Sequence, residues 1–424
     1  MKKYLPRIYD DILNFKLQST GAVCIKGPKG CGKSTTALQF AKSSVLMQDQ
    51  QNLDQNINLA KANPTLFLKG ETPKLIDEWQ VIPFIWDAIR FEVDKRNKFN
   101  QFILTGSSTP PNQDQWSHSG AGRITNLMMR PMSLFESNDS TGEISLEQLF
   151  LNPFMIEGTT NKKLEELFFL ICRGGWPKAV NQAPNIALAQ SENFYDMLVH
   201  SDMSKVDNIK RREDRVISLM RSLSRNIGTN ISIQGIRKDM IQNNEPESLN
   251  SDTVSSYIEA LRKLYIVEDL NAWNPNLRSA TAIRKKPTRY FVDPSIATAA
   301  LSISPSDLMY DLKTAGFLFE SMCIRDLRIY AESLKGKVYH FRDNKGFEVD
   351  AIVHLNNGDY GLIEIKLFDQ ERIEEGAKNL LKLSSLINTK VMKKPSFLMV
   401  LTGTNYAYKR EDGVFVVPIT CLKN

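Results

Sequence analysis

Hydrophobic and polar positions along this chain alternate between the two periods that mark helices and strands. An apolar run at 22–25 reads as a buried strand, and residues 34–42 follow it with helical spacing. Residues 45–48 read as a second strand and 54–62 as a helix stopped by Asn63-Pro64, while 74–78 is a short apolar strand ending in two acids. Ile82, Ile85, Trp86, Ile89 and Val93 form the stripe of a helix over 82–96. Residues 101–108 give another buried strand, Phe102-Ile103-Leu104, with the polar tip Thr105-Gly106-Ser107-Ser108. Strands alternating with helices predict an α/β fold built on a parallel sheet. At 110–122 the composition turns to Pro, Asn, Gln, Ser and Gly, which predicts a mobile loop.

The chain after residue 140 reads differently. Leu164, Leu167, Phe168 and Ile171 make one helical stripe that Gly174-Gly175-Trp176-Pro177 stops. Short helices are predicted at 216–223, 233–241 and 253–265, the third capped by Ser251-Asp252 and turning Val254, Tyr257, Ile258, Leu261 and Leu264 inward. Strands at 266–273 and 288–292 follow. A long helix at 314–333 then precedes strands at 337–341, 347–353 and 360–367, a helix at 371–386 and a strand at 397–402.

The first strand and helix flank Gly27-Pro28-Lys29-Gly30-Cys31-Gly32-Lys33-Ser34, which fits G-x-x-x-x-G-K-[ST] without a mismatch and in its required setting. Glycines there let successive backbone N–H groups turn inward around a phosphate, and the helix points its positive end at the same anion. These eight residues and the adjoining Thr35 would line ATP, with Lys33 reaching the β- and γ-phosphates and Ser34 ligating Mg²⁺. Asp77 ends a strand 44 positions after Lys33 and would hold Mg²⁺ directly or through water, with Glu78 polarising the attacking water. An Asp-Glu pair after a strand also occurs as a solvated turn. Ser107, at the next polar strand tip, would bond the γ-phosphate or the water. Arg123 or Arg130 would place a guanidinium on the γ-phosphate, in cis or across a subunit boundary.

Composition narrows the setting. The 424 residues exceed one ordinary core and suggest two to four domains. Lys and Arg number 54 against 48 acids, a net +6 that permits a nucleic-acid partner without requiring one. Five irregularly placed cysteines fit neither a metal site nor a disulfide framework, so reduced thiols in a cytoplasmic protein are expected. No stretch approaches 18 uninterrupted apolar residues, and no membrane partner is expected.

Several stretches together resemble a family of prokaryotic AAA+ ATPases that carry a C-terminal restriction-endonuclease-like domain and mostly lack an assigned role. They are the phosphate loop, Leu75-Ile76-Asp77-Glu78, Leu104 to Ser108, Ser119-Gly120-Ala121-Gly122-Arg123, Arg130-Pro131-Met132-Ser133-Leu134-Phe135-Glu136 and Gly174 to Pro177. The resemblance spans nearly the full length. It implies an AAA+ core with a parallel sheet at 1–140, a helical lid at 141–208, a winged helix at 209–300 and a nuclease-like α/β domain at 301–424. Arg173 would serve as a phosphate sensor borne by the lid.

Three short helices and a hairpin are what a winged helix needs, and Arg278, Arg284, Lys285, Lys286 and Arg289 would make its wing basic enough to meet a phosphate backbone. Glu259 on the third helix opposes DNA readout, so a protein partner is the other reading. In the last hundred residues Asp350, thirteen intervening residues and Glu364-x-Lys366 resemble the D…ExK core of PD-(D/E)xK nucleases. Period-2 alternation puts Glu364 and Lys366 on one strand face, and Glu320 on the long helix would join them. Asp350 and Glu364 would bind Mg²⁺. Three functions compete: an ATP-coupled nuclease on DNA or RNA, a partner-recruiting ATPase with an inactive nuclease fold, and a signalling or defence-type switch. Homo-oligomerisation is compatible with each.

Overall fold

A computed structural model of the chain describes residues 4–108, 120–153, 156–207, 209–243, 245–274 and 287–424. Most of the loop expected at 110–122, and Arg278, Arg284, Lys285 and Lys286 of the expected wing, lie outside the described residues. The chain divides into two compact units. One comprises Met1–Pro131, Met197–Arg212 and Tyr257–Ile266, and the other Met132–Asp196, Glu213–Ser256 and Val267–Asn424.

In the first unit, helix α1 (Ile8–Ser19) leads into strand β1 (Ala22–Lys26), α2 (Lys33–Phe40), β2 (Ser43–Leu46), α3 (Leu53–Ala62), α4 (Pro64–Phe67), β3 (Lys74–Asp77), α5 (Ile85–Arg96), β4 (Phe102–Gly106) and β5 (Ile124–Met128). The strands form one parallel sheet in the order β2-β3-β4-β1-β5. Strands β3 and β4 are buried along their whole length, which is why they read as continuous apolar runs rather than alternations. Ile76, Phe102 and Leu104 pack with Trp79, Trp86 and Ile89 in the core, the two indoles 5.0 Å apart. Register fixes what meets at the sheet's carboxyl edge, because Asp77 pairs with Thr105 and Thr105 with Ile25. The phosphate loop, Asp77-Glu78 and the tip of β4 therefore leave the sheet side by side, where open α/β sheets place their ligands.

Among the described residues the second unit holds eleven further strands. Strands β6 (Ile144–Ser145), β7 (Gly158–Thr159), β8 (Val267–Leu270), β9 (Thr288–Phe291), β10 (Gly336–Arg342), β11 (Glu348–Leu355), β12 (Tyr360–Lys366), β13 (Phe397–Thr402), β14 (Tyr406–Lys409), β15 (Phe415–Pro418) and β16 (Leu422–Lys423) follow in sequence. Seven make a mixed sheet in the order β10-β11-β12-β13-β15-β14-β7, β8 pairs antiparallel with β9, and β6 pairs parallel with β16. Helix Gln370–Leu386 buries Ile373, Ala377, Leu380 and Leu383 against the sheet. The long helix, three strands, second helix and β13 follow the predicted order, and β14 and β15 are additional. Residues 144–145 and 158–159, expected in a lid, instead pair with the C-terminal strands β16 and β14.

Helices Glu213–Arg225, Ile233–Gln242 and Ser251–Lys263 precede the β8–β9 hairpin close to the expected positions. The third is capped not by Ser251-Asp252 but by Asn250, whose Oδ1 accepts from Thr253 N at 2.7 Å. No described helix is long and apolar enough to cross a membrane, and all five cysteines are buried free thiols.

One buried ion network holds distant segments of the second unit. The Arg325 guanidinium donates to Asp293 at 2.8 Å and pairs with Asp326 at 2.7 Å, all three side chains at most 1 % exposed. Asp293 also accepts from Gly175 N at 2.9 Å, Asp326 from Leu134 N at 2.9 Å, and Met132 N donates to Gly175 O at 2.6 Å. Met132, Leu134 and Gly175 are thus drawn together at this charge cluster. A Cβ at Gly175 would lie 2.0 Å from Met132 O, so only glycine fits there. Removing one partner of such a cluster strands a buried charge, at a cost of about 3–5 kcal/mol. Asp293→Ala should lose stability of that order in chemical denaturation of the full chain; a loss below about 1 kcal/mol would mean the cluster holds nothing.

Candidate nucleotide site and C-terminal acid cluster

Sequence and backbone geometry agree on the loop between β1 and α2. Gly30 and Gly32 take φ of 75° and 105°, values that side chains rarely adopt, and Gly32 caps α2. A Cβ on Gly27 would lie 2.1 Å from Met129 O, so the loop passes against the exit of β5 with no room for a side chain. Lys33 is buried, and its Nζ donates to the carbonyls of Gly27 at 3.0 Å and Pro28 at 2.8 Å. Its ammonium is therefore held inside the loop it would share with a phosphate. Cys31 is buried while Lys29, Gly30 and Thr35 are exposed. Lys29 Nζ lies 2.5 Å from Asp202 Oδ1, a carboxylate at the end of a one-turn π-helix, Leu198–Asp202.

Asp77 is the meeting point. Its Oδ1 accepts from Ser34 Oγ and from Thr105 Oγ1, each at 2.5 Å, and Gln48 Nε2 lies 3.5 Å from Oδ2. Hydroxyl and carboxylate oxygens gathered this way suit a hard cation such as Mg²⁺, whose ligands are oxygens. Glu78 takes φ of 55°, a left-handed turn that aims its carboxylate away from Asp77's row, and its Oε2 accepts from Ser107 Oγ at 2.8 Å and from Gln80. The structure thus brings Lys33, Ser34, Asp77, Glu78 and Ser107 to one edge of the sheet.

It separates the two arginines. Arg130 follows β5 at the carboxyl edge, where its N and Nη1 lie 3.4 Å from Tyr9 Oη. Arg123 precedes β5, whose first residue pairs with Ala22 at the opposite edge, and it binds Asp94 at 2.7 Å. A five-residue strand spans roughly 16 Å, so Arg123 does not reach the loop of its own chain. Arg173, expected as a sensor, is buried in the second unit and pairs with Asp139 at 2.8 Å. Of the wing cations only Arg289 is described, and it donates to Ile231 O at 2.9 Å.

In the second unit β11 and β12 bring Asp350, Glu364 and Lys366 together. Lys366 Nζ lies 2.5 Å from Glu364 Oε2 and 3.2 Å from Asp350 Oδ2, and Ile365 N donates to the same Asp350 oxygen at 2.8 Å. Asn379 Nδ2 stands 3.4 Å from Glu364 Oε1. Burial lowers the Lys366 ammonium, but Asp350 and Glu364 outweigh it and raise the group overall. Burial, then the charge of Asp350, pushes Glu364 well above the usual carboxylate range. Glu320, on helix Leu312–Ser333, accepts from Tyr290 Oη at 2.5 Å, and burial with the Asp350 charge pushes it up to about 8. Among the described residues no three His, Cys, Asp or Glu side chains gather as metal ligands. The lysine ammonium stands where a cation would neutralise the two acids, so the expected Mg²⁺ set of Asp350 and Glu364 does not fit a metal as arranged.

Sequence reasoning missed Arg7, Tyr4, Thr105 as a ligand of Asp77, Gln80, Tyr290 and Asn379. Only Thr105 and Gln80 carried a local signal, by lying beside motif residues. The raised Glu320 has a consequence for stability. The folded chain keeps this proton up to about pH 8 whereas an unfolded carboxyl releases it near 4.5, so the contribution is complete below the lower value and disappears as pH rises through the upper one. Glu320→Gln should flatten the fall in melting temperature between about pH 5 and 8; an unchanged slope would place the titration elsewhere.

Three family models match successive parts of the chain. Residues 19–138 match a family model described as AAA domain, 164–307 a domain of unknown function (DUF8612), and 315–422 another (DUF4143). Two relatives, uncharacterized proteins of Mycobacterium tuberculosis (strain H37Rv) and Mycobacterium bovis, are each 22% identical over 405 residues, covering 95% of this chain and 81% of theirs. The solved structure of the Aeropyrum pernix ORC2 protein in ADPNP-ADP complexes is 13% identical and covers 73% of this chain and 92% of that one, with a TM-score of 0.29. The match over 19–138 supports an AAA-type P-loop fold for this part of the chain, in agreement with the loop and the parallel sheet around it.

Proposed function

We propose that the chain is a Mg·ATP-binding and hydrolysing ATPase of the AAA+ type. The observation that carries this reading is the Asp77 carboxylate, which accepts from Ser34 of the phosphate loop and Thr105 of β4 at 2.5 Å each. The loop amides and Lys33 hold the β- and γ-phosphates, and the Lys33 ammonium exchanges its two loop carbonyls for phosphate oxygens. Ser34 and Asp77 would hold Mg²⁺, which would neutralise charge on the phosphate oxygens. Glu78 orients the attacking water and accepts its proton, with Ser107 and Gln80 fixing the carboxylate beforehand. Arg130, which follows β5 at the carboxyl edge, would act on the γ-phosphate within its own chain. Arg123 reaches a γ-phosphate only on a neighbouring subunit, which would make the active form a homo-oligomer.

The second unit supports a second reading, because Lys366 lies between Asp350 and Glu364 in the arrangement expected of a nuclease-like site. On this reading the three helices and hairpin at 213–291 act as a winged helix on DNA, RNA or a protein, and ATP turnover in the cytoplasm moves both. If the Lys366 ammonium takes the place of a metal between the acids, the nuclease-like fold is instead a scaffold beside the ATPase.

Turnover assays separate these. Lys33→Ala should abolish ATP binding, and Glu78→Gln should bind ATP while hydrolysing it at least about 10²-fold more slowly, the usual size of a general-base contribution. Wild type that binds no ATP at millimolar Mg·ATP would end the ATPase reading. For the cluster, wild type, Asp350→Ala and Lys366→Ala are compared on linear and supercoiled DNA and on RNA with Mn²⁺. Cleavage by wild type alone would make the site a nuclease, and equal products from all three would mark it as a scaffold.

A further inference from the structure

The phosphate loop is held from behind by a residue that no motif marks. Arg7 is 6% exposed, and its guanidinium donates Nη1 to Cys31 O at 2.8 Å and Nη2 to Arg130 O at 2.8 Å. Its position is fixed in turn. Arg7 N donates to Asp10 Oδ2 at 2.9 Å, the guanidinium carbon lies 5.6 Å from the centre of the Tyr9 ring, and Tyr4 Oη donates to Asp10 at 2.6 Å and stands 3.0 Å from Thr36 Oγ1 in the first turn of α2. Residues 4–10 are thus a strap laid across the loop's outer side and onto the helix that follows it.

We propose that Arg7 is a positioning residue of the nucleotide site, which turns the Cys31–Gly32 peptide so that its N–H faces the β-phosphate and ties the loop to the start of Arg130. The inference rests on the ATPase reading of the first unit. In a trans peptide the C=O and the next N–H point to opposite sides. Fixing Cys31 O on the outer side therefore directs Gly32 N–H to the inner side, where the helix N-terminus and the glycine φ values form an anion nest. Cys31 is fully buried, so without the guanidinium its carbonyl would need another donor, and the loop would turn to find one. The second fork of Arg7 sets the backbone from which the Arg130 side chain starts. Lysine does not reproduce this, because one ammonium on a flexible stem lacks the planar fork that reaches two carbonyls at once.

Calorimetric titration of ADP and AMP into wild type, Arg7→Ala and Arg7→Lys tests the assignment, with melting temperatures recorded in parallel. ADP affinity should fall about ten-fold or more in Arg7→Ala, the size of one lost charge-assisted hydrogen bond, while AMP affinity stays within about two-fold and Arg7→Lys lies between. A merely structural role would lower the melting temperature and leave the ratio of the two affinities at its wild-type value; that result in folded Arg7→Ala overturns the proposal. If Arg7→Ala does not fold, Arg7→Lys decides in the same way. Wild type that binds neither ADP nor ATP overturns the ATPase reading itself, which is distinguishable because it appears before any substitution.

Discussion

Asp77 is the constraint on which the nucleotide site depends. A carboxylate at the end of a fully buried strand must satisfy its oxygens locally, and here one oxygen takes hydroxyl donors from two other segments, Ser34 and Thr105. The parallel register supplies the partners, since β3 and β4 align Asp77 with Thr105, and β1 on the far side of β4 releases the phosphate loop at the same level. Glu78 then inherits its place from Asp77. The left-handed turn directs it toward Ser107 and Gln80 instead of into the row occupied by Asp77. Two adjacent acids thereby take different surroundings, Asp77 between the Ser34 and Thr105 hydroxyls and Glu78 beside Ser107 and Gln80.

The second unit solves its own electrostatic problem in a different way. Its buried charges are neutralised internally: Arg325 lies between Asp293 and Asp326, and Lys366 between Asp350 and Glu364. Burial in a medium that screens poorly makes an uncompensated charge expensive, so such clusters persist only when every member has a partner. The first cluster binds the backbone of Leu134 and Gly175. In the second, the Lys366 ammonium lies against both Asp350 and Glu364 and neutralises them.

What the sequence made legible depended on distance along the chain. The phosphate loop, Asp77-Glu78 and the polar tip of β4 are contiguous signals whose chemistry is written within a few residues, and strand parity placed Glu364 and Lys366 on one face. Strand direction decided between the arginines, and that was not visible from their spacing: Arg123 enters β5 and Arg130 leaves it. Arg7 was invisible for a simpler reason. Its partners are 24 and 123 residues away and are backbone carbonyls, which leave no trace in side-chain pattern. Likewise β7 is a two-residue edge strand whose partner β14 lies far along the chain, so residues 158–159 read as part of a lid. Asn250 rather than Ser251 or Asp252 caps its helix because the helix begins at Ser251, ahead of the apolar stripe that starts at Val254.

The central claim, that Asp77 and Ser34 together form the cation side of an ATP site, is tested most directly by the Mg²⁺ dependence of ATP affinity in wild type and Asp77→Asn. Asparagine keeps the shape and one acceptor oxygen but loses the charge that holds a divalent ion. Wild type should bind ATP more tightly as Mg²⁺ is raised, and Asp77→Asn should bind it with an affinity indifferent to Mg²⁺. An Asp77→Asn protein whose ATP affinity responds to Mg²⁺ as wild type does would contradict the account.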